Sequence, residues 1–92
     1  MDSKLFQLEI LTPRHKVFSG QVASLVVPAA EGYLGVLANH APIIAALQPG
    51  KIICRNEAGS TQVFQAAGSG FLEVDHNRAT VLMDEAAEGV PG

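Results

Sequence analysis

Three histidines, one cysteine and a serine flanked by glycines are the side chains of this 92-residue chain whose types suggest chemistry. His15, His40 and His76 stand in three different turn regions. None has a second His or Cys at the short spacing that metal sites use, so no bound metal is expected. Ser69 lies in Gly68-Ser69-Gly70. A nucleophilic serine needs a base and a strained strand-to-helix elbow. Gly-Ser-Gly between two extended runs is ordinarily a bulge or tight turn instead. A catalytic grouping would have to join Ser69 to His40 and an acid such as Asp75, and no local feature favours it. Gly32 and Gly35 enclose Tyr33-Leu34, but neither a phosphate loop nor a dinucleotide fingerprint follows, so no cofactor is expected. Cys54 alternates with apolar neighbours and reads as a small buried hydrophobe.

Asn39-His40-Ala41-Pro42 is richer than a generic loop. Pro42 fixes its own φ and biases Ala41 toward extended geometry. A rigid loop that holds up an imidazole and an amide makes a recognition edge. A turn whose His40 only bonds backbone accounts for the same residues, and local chemistry leaves both readings open.

The elements that must position these residues are strands. In Leu5 to Leu11 the apolar Phe6, Leu8 and Ile10 alternate with Gln7 and Glu9, and Pro13 stops the run. Lys16 to Phe18 predicts a short strand closed by Ser19-Gly20, and Val22 to Val27 another ended by Pro28. Glu31 to Gly35 reads as turn-rich, followed by a short extended piece at Val36-Leu37. Ile43 to Leu47 is ambiguous, because Ala45 and Ala46 weaken its strand character. Lys51 to Arg55 and Thr61 to Ala66 flank Asn56-Glu57-Ala58-Gly59, a hairpin loop. Phe71 to Asp75 and Ala79 to Met83 flank a second turn at His76-Asn77-Arg78. Asp84 to Glu88 lacks alternation and is expected to form one helical turn. Together these predict an all-β, two-sheet sandwich or barrel in one domain, residues 1–86, with a short flexible tail at 87–92.

Bulk properties set the outer limits. Hydrophobic residues make up 48% and charged ones 16%, enough for a core and against disorder. The net charge is −3 and the six Lys and Arg form no stripe, which argues against nucleic-acid binding. One cysteine fits a reducing compartment, the first residues resemble no signal peptide, and no apolar run reaches membrane-spanning length. These point to a soluble domain whose marginal core a partner surface would help.

Six segments, in order, resemble one family, the epsilon subunit of F-type ATP synthases, whose mitochondrial counterpart is called delta. They are Phe18-Ser19-Gly20, Glu31-Gly32-Tyr33-Leu34-Gly35-Val36-Leu37, His40-Ala41-Pro42, Gln48-Pro49-Gly50-Lys51-Ile52, Gly68-Ser69-Gly70-Phe71-Leu72-Glu73-Val74 and Thr80-Val81-Leu82-Met83-Asp84. Singly each is weak; together they run through nearly the whole chain.

The resemblance implies a β-sandwich of about ten short strands at the foot of the central stalk, non-catalytic and without a cofactor. Its implied partners are the gamma subunit and the c-ring, on the cytoplasmic face of the bacterial inner membrane. It implies gamma contacts at Thr12 and His40-Ala41-Pro42, and a c-ring contact at Glu31-Gly32-Tyr33, where Glu31 would face an arginine. Relatives commonly continue into a two-helix hairpin that can inhibit ATP hydrolysis and in some binds ATP. No helical periodicity for it occurs before Gly92, so neither that inhibition nor a nucleotide site is expected of this polypeptide. The competing reading is a β-sandwich interaction module for some other protein.

Overall fold

The alternation at the N-terminus becomes β1 (Phe6–Leu11), which buries Phe6, Leu8 and Ile10 and turns Gln7, Glu9 and Leu11 outward. The computed structural model describes residues 4–89, and among them there are eight strands and no helix. After β1 come β2 (Lys16–Val22), β3 (Ser24–Ala29), β4 (Gly32–Leu37), β5 (Ile43–Leu47), β6 (Gly50–Arg55), β7 (Thr61–Asp75) and β8 (Arg78–Gly89).

Their hydrogen-bonded order is β2-β1-β8-β7-β5-β3-β4, with β6 joining β3 and β7. The two long strands make this path fold into two layers. Arg78–Leu82 of β8 pairs with β1 in parallel, and Arg78–Met83 pairs with Gly70–Asp75 of β7, which in turn pairs with β5. Thr61–Ala66 of β7 pairs with β6, which continues to β3 and β4. β7 and β8 thus serve both layers, and the eight strands supply ten segments, five to a layer. The expected all-β sandwich is what forms.

The crossing point is Gly68-Ser69-Gly70, where the β7–β8 register shifts. Gly68 has φ 79, a conformation that side chains with a Cβ rarely take. A Cβ on Gly70 would run into the Leu82 carbonyl oxygen. The Asp84 carboxylate closes the bulge by accepting the Ser69 N–H at 2.9 Å. Ser69 is therefore part of a bulge, as its glycine neighbours suggest.

Between the layers lies a single apolar core that includes Leu8, Ile10, Leu25, Val27, Ile52, Phe64, Leu72 and Val81. Phe18 from one layer meets Phe64 of the other edge-on, with ring centroids 5.7 Å apart.

Several boundaries differ from those expected. Ser19-Gly20 does not close β2, because both residues pair with β1 at Glu9 and Leu8. Pro28 does not end β3. There the neighbour of β3 changes from β6 to β5, so no ladder needs its missing N–H, while its carbonyl accepts from Gln48 at 2.9 Å. Tyr33, Leu34 and Gly35 belong to β4, not to a turn, and Ile43–Leu47 is a strand held by β7. The helical turn at Asp84–Glu88 does not form. These residues extend β8 and pair with Phe64 to Ala67, so β8 runs past the expected domain edge at Ala86 and takes in Ala87–Gly89 of the expected tail. The rest of the expected tail lies outside the described residues.

Candidate functional site

One end of the sandwich is the end that carries the bulge. Thr12 stands there, just beyond β1, in a turn that it organises itself. Its N–H donates to the His15 carbonyl at 2.9 Å, and its Oγ1 accepts from the His15 N–H at 3.1 Å. The hairpin between β3 and β4 lies at the same end, since Ala29 pairs with Leu47, and Leu47 with Gly70. Its two-residue loop is Ala30-Glu31, closed by the Ala29–Gly32 pair. Glu31, Gly32 and Tyr33 are all exposed. The Tyr33 hydroxyl accepts from the Lys51 N–H at 3.2 Å, which anchors the phenol tip and leaves the ring 60% open to solvent.

The opposite end carries His40-Ala41-Pro42, between β4 and β5. The loop leaves β4 through Asn39, which is left-handed at φ 63, and the His40 N–H returns to the Leu37 carbonyl at 3.2 Å. His40 Nδ1 lies 2.6 Å from the Ala41 carbonyl oxygen. Pro42 borders a shallow groove with Ile43, Ile44, Glu73, Val74 and Asp75. Thr12 and His40 are thus not neighbours. Five strand residues, Ile43 to Leu47, separate the two ends along β5.

What joins the ends is a surface the sequence reading missed. Leu11 pairs with Leu82, Leu82 with Phe71, and Phe71 with Ala46, so all four side chains leave the same face of the sheet. Ile44 follows on that face two residues before Ala46. Ile44 is 74% exposed, Phe71 57% and Leu82 46%. The row crosses three strand spacings and runs about 15–20 Å, from beside Thr12 toward Pro42. Isolated exposed apolar side chains are ordinary, whereas a contiguous row is the mark of an interaction surface. The available signal was Phe71-Leu72 and Val81-Leu82-Met83, where apolar residues occupy both phases of a strand.

The candidate catalytic groups do not converge. Ser69 is next to Gly70 at the bulge end, while His40 and Asp75 are at the other, and the six residue steps of β7 from Ser69 to Asp75 span about 20 Å by strand rise. Among the described residues no three His, Cys, Asp or Glu side chains gather as metal ligands. Cys54 is buried, and burial, with the Glu88 carboxylate adding to it, pushes its thiol from 9.0 up to about 11. The folded chain should therefore resist iodoacetamide at pH 8 and react once urea unfolds it. Because the folded value is the higher one, the neutral thiol's contribution to stability is complete below pH 9 and fades toward pH 11. Urea midpoints between pH 8 and pH 11 should fall more steeply for the unmodified chain than for Cys54→Ala; parallel curves would contradict this.

Residues 5–89 match the family described as ATP synthase, Delta/Epsilon chain, beta-sandwich domain. The chain is 43% identical over 82 residues to the ATP synthase epsilon chain of Dichelobacter nodosus, covering 89% of this chain and 57% of that one. To the ATP synthase epsilon chain of Chlorobaculum tepidum it is 42% identical over 84 residues, covering 91% of this chain and 94% of that one. It thus spans little more than half of the first relative and nearly all of the second. Its fold is similar to that of a chain in the Euglena gracilis mitochondrial ATP synthase (OSCP/F1/c-ring, rotational state 1), with a TM-score of 0.87 at 22% identity over 96% of this chain and 56% of that one. That likeness carries the fold, and the matched sequence over residues 5–89 carries the rest: this chain belongs to the ATP synthase delta/epsilon family, as its β-sandwich domain.

Proposed function

We propose that the chain is a non-catalytic rotor element of a proton-translocating F-type ATP synthase, joining the gamma subunit to the c-ring. The observation that carries this reading is the apolar row of half-buried Leu11 and exposed Leu82, Phe71, Ala46 and Ile44, which spans the gap between Thr12 and His40-Ala41-Pro42. One partner lying along this face meets both groups of gamma contacts at once. The separate hairpin at Glu31-Gly32-Tyr33 then remains open for the polar loops of the c-ring. Apolar contact in the centre supplies affinity, and polar loops at the two ends set orientation.

The mechanism is mechanical. Torque passes between c-ring and gamma through a close-packed sandwich that deforms little under load. The site of action is the peripheral, cytoplasmic face of a bacterial inner membrane. No residue of this chain breaks or forms bonds, and no nucleotide or metal enters the mechanism.

Titration calorimetry of the chain into purified gamma tests the proposal. A one-to-one complex with a negative heat-capacity change is expected, because apolar area is buried. No heat at concentrations on the order of tens of micromolar, where a working interface should saturate, would sink it.

A further inference from the structure

The turn between β7 and β8 consists of two residues, His76 at φ 51 and Asn77 at φ 57. Left-handed backbone at both positions is the geometry for which Asn-Gly pairs are favoured. Asparagine tolerates it, and glycine would meet it without strain. What glycine lacks is the amide, and here both of its ends are in use. Asn77 Oδ1 accepts the Asn39 N–H at 2.7 Å, and Asn77 Nδ2 donates to the Leu5 carbonyl at 2.9 Å. One half-buried side chain thus ties the entry to β1 and the β7–β8 turn to the loop that carries His40.

This tie has a consequence for the imidazole. Asn39 is left-handed, the His40 N–H returns to Leu37, and Pro42 stiffens the exit, so the loop backbone is held on both sides. In that setting His40 Nδ1 lies 2.6 Å from the Ala41 carbonyl oxygen. A carbonyl only accepts, so the proton of the neutral ring sits on Nδ1. Nε2 is left with its lone pair, and among the described residues no hydrogen-bond partner appears for it.

We infer that Asn77 is the positioning residue of the His40 loop, and that the loop recognises a hydrogen-bond donor on its partner through Nε2. This rests on the reading of His40-Ala41-Pro42 as a gamma contact. It adds the chemistry of the group met there, an N–H or O–H donor, and the residue outside the loop that makes the contact selective.

The test uses the 92-residue chain, isotopically labelled, with two readouts: the His40 ring nitrogens by long-range proton–nitrogen correlation, and affinity for purified gamma. The unmodified chain should show the tautomer protonated at Nδ1. Asn77→Gly keeps the turn and removes the tether. It should blur that signature and weaken gamma binding about tenfold, the scale of one lost hydrogen bond, while the loss of both bonds lowers the thermal midpoint by roughly 10 °C and leaves the chain folded. Asn77→Asp keeps an acceptor for the Asn39 N–H but gives up the bond to the Leu5 carbonyl, so it should restore part of both signature and affinity. His40→Gln brings an amide oxygen near the place of Nε2 and should bind better than His40→Leu.

An Asn77→Gly chain with unaltered ring signals and affinity would overturn the positioning role, as would failure of Asn77→Asp to rescue. Equal binding by His40→Gln and His40→Leu would overturn the donor assignment. If the unmodified chain shows the ring signature but does not bind gamma, the donor assignment falls with the functional reading beneath it. The tether is then judged by the ring signals alone.

Discussion

Gly70→Ala is expected to lower the stability of the chain by about 3 kcal/mol or more, the upper range for forcing a new group into filled space. The added Cβ would meet the Leu82 carbonyl oxygen, and Met83 Sδ lies 2.8 Å away on the same side. Neither obstacle yields cheaply. The carbonyl belongs to the β7–β8 ladder, and Met83 is in the core. At about 4–8 °C per kcal/mol for a domain of this size, the thermal midpoint should fall by roughly 15 °C or more. Gly35→Ala is the control. No atom lies within 4 Å of its Cβ position and its backbone is unremarkable, so the change should stay within about 1 kcal/mol. Thermal scans of the two variants decide the matter, and a Gly70→Ala midpoint equal to that of Gly35→Ala would refute the account of the bulge. The reason to expect so large an effect is topological. The bulge lets β7 and β8 leave one layer and join the other, and β1, β5 and β6 each pair with one of the two.

The second large effect concerns binding with the fold intact. Ile44→Asp combined with Phe71→Glu should weaken gamma binding about a hundredfold, the scale of losing central apolar anchors of an interface. Both side chains are more than half exposed, so the thermal midpoint should move by only a few degrees. Calorimetry against gamma, beside a thermal scan, separates the two quantities. Unchanged affinity in a folded double variant would exclude the sheet face from the interface. It would return the burden to the loops at the two ends. Loss confined to a Glu31→Gln variant would instead point to the hairpin at the bulge end as the main contact.

Much of the fold was legible because a half-buried strand writes its orientation into every second residue. Phe6, Leu8 and Ile10 are core residues for that reason, and Cys54 is buried in phase with Ile52. The turns at Asn56–Gly59 and His76-Asn77 were legible through residue chemistry, since Gly59 and both turn residues of the second hairpin carry positive φ. Asp84 to Glu88 misled because Asp, Ala and Glu are poor strand formers and Ala and Glu favour helix. Pairing with Phe64 to Ala67 outweighs that local preference.

By itself, then, the sequence determined a small all-β domain, its principal strands and the burial of its cysteine. These are local properties, settled by alternation and by which residues tolerate a turn. Tertiary structure alone decided that Thr12 and His40 stand at opposite ends, that Phe71, Leu82 and Ile44 share an open face, and that Asn77 holds the loop before His40. Strands far apart in the chain become neighbours through the parallel pairing of β1 with β8 and the crossing of β7 between layers. An apolar run such as Val81-Leu82-Met83 shows that both faces are apolar, but which one stays open depends on where the second layer lands.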